Sequence, residues 1–325
     1  MLQKRINTTT AFQFFQIARY ASLTLGSIFI TKSGVSQKDI GIYETVLLMA
    51  GSLSFFWING FLTTFLRSYA KAENKSSVLA NSIFLITVTI IICFFLFYIF
   101  KKQFINFFCT NEEYFPLFIV FFLFNSIGFA TEYILLAKEK VKGLILLGIF
   151  HLIFQSVFIA LPAFTSADID QVIMGLIAFS TLKFVVFVFV FFDSKPGALD
   201  FADIKQQFKT AAPLIISFFL GGVSIYVDGM IVNYYYDKST FALFQYGAKE
   251  FPLSLLLANA LSVAMVQKIT TNAQSGLSEL RSGSLRLMHF LFPISILLIA
   301  SSKYLYPLIF NEQFSESFIY FNIYL

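Results

Sequence analysis

Five ionisable side chains lie where a polypeptide rarely tolerates charge. Arg19, Lys183, Asp228, Lys249 and Glu250 all fall inside long apolar stretches of the 325-residue sequence. At 1.5 Å per helical residue, Arg19 lies about 12 Å into the first stretch, and Lys249 and Glu250 lie about 13 Å into another. A charge at mid-bilayer costs at least about 2.5–3.5 kcal/mol on insertion scales, so each needs a reason to be there. Arg19, Lys183 and Lys249, turned toward a shared polar interior, would attract an anion. Arg grips phosphate with two donors, and Lys supplies a point charge. Asp228 and Glu250 would balance that charge, or exchange a proton or Na⁺. The competing reading is structural: the basic groups pair with buried carboxylates, or reach an interface along their own stems.

Other polar residues read more plainly. Glu44 and Glu132 lie within a turn or two of a helix end and Lys303 near the end of its run, so reaching the interface accounts for each. His151 and His289 are single and read as core or interfacial histidines. Cys93 and Cys109 stand sixteen apart with no CxxC, which points to neither a disulfide nor a metal site. Asp168-Ile169-Asp170 is a formal match to a metal-dependent sugar transferase motif, in a loop too short for such a domain. No Walker A loop, HExxH or GxSxG occurs. No catalytic residue, metal or cofactor is expected, and the protein does not read as an enzyme. Pro252, beside Lys249 and Glu250, predicts a kink there. Gly221-Gly222 permits close helix contact or bending.

The elements that position these residues follow from composition. The chain is 58% hydrophobic and 13% charged, with 45 Phe. Soluble domains carry about 25% charge. A soluble enzyme, a secreted mini-protein and a disordered chain are excluded. Runs long enough to cross a core of about 30 Å fall near 11–31, 41–65, 78–100, 115–137, 143–163, 172–192, 212–235, 241–266 and 287–310, and a tenth begins near Phe318. The expectation is an all-α polytopic bundle of nine to ten helices. The first run follows Lys4 and Arg5 like a signal peptide, but Arg19 interrupts it and no cleavage site follows, so it reads as a retained helix.

Lys and Arg set the orientation. Between successive runs they alternate, with one set of loops holding Lys4 and Arg5, then Arg67, Lys71 and Lys75, then Lys138, Lys140 and Lys142, then Lys195, Lys205 and Lys209, then Lys268, Arg281 and Arg286. The opposite set holds Lys32, Lys38, Lys101, Lys102 and Lys238. A cytoplasmic N-terminus follows, and this accounts for most of the net charge of +5 without a nucleic-acid partner.

The polar stretch 193–211 divides the chain. Leu199, Phe201, Ile204 and Phe208 fall at near-helical spacing between charges, as in an amphipathic helix on a membrane surface. The expected organisation is a first six-helix repeat at 1–192, a linker at 193–211 and a partial second repeat at 212–325. Lys38 to Glu44 aligns with Phe241 to Gly247, placing Tyr246 203 positions after Tyr43. A repeat of that length predicts a chain that stops before its second copy is complete. Six-helix repeats keep the same orientation about an axis along the membrane normal.

Three segments resemble the polysaccharide exporters, including O-antigen flippases, of the multidrug/oligosaccharidyl-lipid/polysaccharide flippase superfamily. They are Gly41-Ile42-Tyr43 after the loop opening at Ser33, Leu62 to Tyr69, and Ile204 to Tyr236 with Ala212-Pro213-Leu214 and Asp228-Gly229-Met230-Ile231. The second repeat departs from the family pattern, with Leu243-Phe244 where a glycine usually precedes the Tyr. The resemblance implies a bacterial inner-membrane transporter that flips a polyprenyl-diphosphate-linked oligosaccharide for surface polysaccharide or lipopolysaccharide synthesis, with Arg19, Lys183 and Lys249 on the substrate. Its implied partners are the lipid-linked oligosaccharide, the bilayer and other membrane proteins of polysaccharide assembly. Alternatives are a drug/cation antiporter of the same superfamily, or a membrane-embedded polysaccharide polymerase or acyltransferase.

Overall fold

A computed structural model describes residues 8–248 and 273–325. Every regular element among them is helical, as a bilayer requires of a chain that satisfies its backbone within each segment. The elements are α1 (Thr8–Lys32), α2 (Gln37–Lys71), α3 (Lys75–Ile99), α4 (Lys101–Phe107), α5 (Tyr114–Gly128), α6 (Ala130–Ala137), α7 (Val141–Phe150), a π-helical turn (His151–Gln155), α8 (Ser156–Thr165), α9 (Ile169–Asp193), α10 (Phe201–Tyr235), α11 (Lys238–Gly247), α12 (Ala273–Ile309) and α13 (Ser317–Tyr324).

Seven spans among the described residues are long and apolar enough to cross a membrane, and the chain is a multi-pass membrane protein. The sequence predicts more, and the shortfall has local causes. The helix α1 has the length, but Gln13, Gln16 and Arg19 break its apolarity. Much of the 241–266 run lies outside the described residues, and α13 is only 8 residues long. The loop read at 101–114 contains α4. The amphipathic stretch is no separate helix, for α10 runs unbroken for 35 residues from Phe201 through Pro213. Within it Ile204 and Gln207 are buried while Phe201 and Phe208 are exposed.

Polar caps set the starts. The Ser36 hydroxyl accepts from the Asp39 N–H, Asn74 from Ser77, and Asp200 from Ala202 and Asp203. Asp168 accepts from the Asp170 N–H and opens α9, with Asp170 in its first turn. The formal transferase motif is therefore a helix cap.

The chain packs as two compact units, 1–241 and 242–325. The boundary falls beyond the 193–211 linker because α10 lies along α2 in the largest helix contact of the first unit. Both are 35 residues, about 52 Å at 1.5 Å per residue, so they exceed a hydrocarbon core of about 30 Å. Gly60 seats α2 against Ile215, whose side chain a methyl there would overlap. The rings of Phe55 and Phe218 pack edge to face at 6.2 Å, and those of Phe56 and Phe219 at 5.3 Å. In the second unit, the buried Tyr246 ring packs against Phe310 and Phe314, and its carbonyl accepts from the Tyr306 hydroxyl at 3.1 Å.

Loops gather at the two ends of the first unit. At the basic-rich end the Gly197 N–H donates to Ser76 O (2.9 Å), Ser77 Oγ to Ala198 O (2.9 Å), and Lys138 Nζ to Ser194 O (3.0 Å). At the other end Lys238 Nζ donates to Asn233 Oδ1 (2.6 Å), Thr45 Oγ1 (2.9 Å) and Phe108 O (3.1 Å). Asn233 Nδ2 donates to the same Phe108 carbonyl at 2.7 Å. This clamp joins α2, the end of α4, α10 and α11, and it needs Gly41, because a methyl there would overlap the Lys238 carbonyl.

Two outcomes follow from the clamp. Gly41→Ala forces backbone apart, so it lowers stability by about 1–3 kcal/mol, read as a lower midpoint of thermal unfolding in detergent. Burial pushes the Lys238 ammonium down to about 8 from its ordinary 10.5. Between those values the unfolded chain holds a proton that the folded chain has released, so stability rises with pH across that window. Thermal unfolding at pH 8 and pH 10 shows a smaller rise in Lys238→Met than in the unsubstituted protein.

Candidate functional site

A cavity of about 420 Å³ opens within the first unit. Residues of α1, α2, α5, α6, the π-helical turn, α9 and α10 line it. The polar face of α1 supplies one wall. Gln16, Arg19 and Ser22 recur every third residue, which puts them on neighbouring turns of one side.

Arg19 Nη1 lies 2.9 Å from Glu132 Oε1 and 3.2 Å from Oε2, and Nη2 donates to Gln16 Oε1 at 2.7 Å. The guanidinium carbon stands 5.5 Å from the Phe15 ring centre and 5.9 Å from that of Phe129. Glu132 is 3% exposed. Its reading as a helix-end charge is therefore corrected: it is the counter-ion of the half-buried guanidinium. Removal from water makes each charge costly alone and tolerable only as a hydrogen-bonded pair. The same demand, applied to Arg19, is the sequence signal that could have found Glu132.

Lys183 is also 3% exposed. Its Nζ donates to Asn125 Oδ1 at 3.2 Å and sits 3.6 Å from the Phe129 ring centre. Gly128 makes room for it, because a methyl there would press on the lysine stem. Among the described residues, no carboxylate lies within ion-pair distance of Lys183. Lys183 and the Arg19–Glu132 pair line the same cavity. Two basic side chains and one carboxylate therefore share it.

His151 was read as an unremarkable histidine, and it too lines the cavity. It is 2% exposed, and neither ring nitrogen makes a well-formed hydrogen bond, with the Gln155 side chain a polar group in reach. The rings of Phe179, Phe15 and Phe150 meet it edge to face at 5.2, 5.5 and 5.9 Å. Next to it, Gln155 Oε1 accepts from Ser22 Oγ at 2.9 Å.

Of the residues singled out from sequence, Arg19 and Lys183 come together. Asp228 does not join them. It is exposed on α10, while Tyr226 two residues earlier lines the cavity. A step of two residues turns a helix by about 200°, which separates the two side chains. Lys249, Glu250 and Pro252 lie outside the described residues. Glu44, assigned like Glu132 to a helix end, is 4% exposed. Among the described residues, no group of three His, Cys, Asp or Glu is placed to hold a metal ion.

No family model and no curated protein matches the chain in sequence. Two solved structures share its fold. One is described as the lipid II flippase MurJ in an inward closed conformation. It is 20% identical with a TM-score of 0.68, over 94% of this chain and 71% of that one. The other is described as the inward-facing conformation of a multidrug resistance MATE family transporter of the MOP superfamily. It is 12% identical with a TM-score of 0.55, over 96% of this chain and 79% of that one. Both likenesses are of fold.

Removing one member of the half-buried ion pair leaves the other without its counter-charge in apolar surroundings. Glu132→Gln therefore lowers stability by about 1–3 kcal/mol. Arg19→Met combined with Glu132→Leu regains most of that loss, as thermal unfolding in detergent will record.

Proposed function

We propose that the chain flips a polyprenyl-diphosphate-linked oligosaccharide from the cytoplasmic to the outer leaflet of a bacterial inner membrane, for surface polysaccharide or lipopolysaccharide assembly. The observation that carries this reading is the surplus of basic side chains over carboxylates lining one cavity, Arg19 and Lys183 against Glu132. A diphosphate entering it gives Lys183 the anionic partner it lacks. It also competes with Glu132 for the two-pronged face of Arg19. The lipid tail stays in the hydrocarbon while the headgroup travels through the polar interior. Lys249, outside the described residues, is proposed as a further cation for the cargo, and Glu250 as a charge-balancing or ion-coupling group. An ion gradient drives the cycle, since no nucleotide-binding motif is present in the sequence. The N-terminus faces the cytoplasm, as the Lys and Arg distribution favours.

The likeness to a flippase whose title names lipid II supports a lipid-linked cargo. The likeness to a multidrug transporter supports a second reading, a drug/cation antiporter. The charge of the cavity favours the first, because a cationic drug would be repelled where an anion is attracted.

Purified protein binds a ten-carbon prenyl diphosphate, as read by microcalorimetry, and binds a lipophilic cation far more weakly. Arg19→Met and Lys183→Met each weaken the diphosphate by about tenfold or more, in keeping with a lost charge-assisted hydrogen bond. Tighter binding of the cation, or diphosphate affinity that survives both substitutions, overturns the reading.

A further inference from the structure

We infer that His151 recognises a hydroxyl on the uncharged part of the cargo, so that the cavity selects an anionic headgroup bearing a sugar ring over a bare phosphate. This rests on the reading above and adds a residue and a selectivity to it.

The inference begins with a buried group that is unsatisfied. A polar atom taken out of water without a partner costs about 1–3 kcal/mol, and native interiors rarely carry one without cause. His151 carries two nitrogens that make no well-formed hydrogen bond at 2% exposure, on the wall of a cavity large enough for a small ligand. Three aromatic edges hold the ring, so it is a placed group.

The backbone is also unusual at this position. The stretch from Val141 to Thr165 is helical throughout, but its middle turn, His151–Gln155, is π-helical. Such single turns cost hydrogen-bond geometry and gather at functional sites. Here the turn begins with His151 and ends with Gln155, and both side chains line the cavity.

The chemistry of the imidazole selects the ligand group. In its neutral form it offers one donor and one acceptor. A phosphate oxygen only accepts and an ammonium only donates, so neither can engage both functions. A hydroxyl does both. Around His151 the cavity adds more neutral groups of the same kind, among them Asn125, Tyr133, Gln155 and Ser180. Arg19 and Lys183 then supply the groups that bind an anion, and His151 with these neighbours the groups that bind hydroxyls. A cargo with a sugar directly beside a diphosphate matches that set of groups.

The test compares two probes on the purified full chain: the ten-carbon prenyl diphosphate, and the same molecule with one hexose on its terminal phosphate. The unsubstituted protein prefers the hexose probe by about tenfold, the effect of one well-made hydrogen bond. In His151→Phe, which keeps the ring packing, that ratio falls to about one. His151→Gln, whose amide both donates and accepts, keeps most of it. A loss that is merely structural weakens both probes together, leaves the ratio unchanged and overturns the inference. Equal affinity of the unsubstituted protein for both probes also overturns it, and assigns the imidazole to bound water. Binding of neither probe instead overturns the function proposed above. If His151→Phe does not fold, imidazole NMR signals of histidine-labelled protein decide. They shift with the hexose probe and not with the bare diphosphate, and an equal shift with both refutes the role.

Discussion

A guanidinium and a carboxylate meet at 2.9 Å inside a bundle built largely of Phe, Ile and Leu, and the polar interior is organised around that meeting. Neither charge could stay in such surroundings alone. The pair ties α1 to α6 across 113 residues of sequence. It also fixes the wall against which Lys183, Asn125 and Phe129 are set. Because the carboxylate pairs with Arg19, Lys183 is left with an amide oxygen and an aromatic face for company. A ring face attracts a cation through its quadrupole, and the attraction is stronger out of water. It steadies the ammonium without cancelling its charge. The stability of the bundle and the attraction for an anion thus come from the same arrangement.

Much of this was legible in the sequence. Length and apolarity marked where most spans lie, and depth in those spans singled out Arg19 and Lys183. What one dimension did not carry was which face each side chain takes. Lipid-facing and protein-facing sides of a membrane helix are both apolar, so α3, α5 and α9 show no polar side by which to orient them. Glu132 was missed for that reason. Its distance from a helix end said it could reach an interface, and only the ion pair with Arg19 showed that it turns inward. His151 was passed over because a lone histidine in an apolar run is usually well satisfied, and this one makes no well-formed hydrogen bond.

Two other differences have local physical causes. Gly197 and the surrounding loop do break the chain, yet α10 then absorbs the amphipathic stretch and continues past Pro213. The prolyl nitrogen removes one helical bond, and the neighbouring turns on a 35-residue helix keep the direction. Lys238 was counted only as a charge in a loop. It is instead the donor at the centre of a junction of four segments, a role written partly in Gly41, whose lack of a side chain lets the Lys238 carbonyl approach. Residues without side chains direct close contact between backbones in membranes, where apolar burial does not distinguish protein from lipid.

That junction has a bearing on the ionic medium. Salt weakens exposed ion pairs because mobile ions gather within a Debye length of about 8 Å at physiological strength. Lys238 grips an amide oxygen, a hydroxyl and a backbone carbonyl, all at 3.1 Å or less and mostly out of solvent. Mobile ions cannot slip between atoms already in contact, and the oxygens carry no net charge to be shielded. The seam between α2 and α10 at that end accordingly keeps its strength from dilute buffer to seawater.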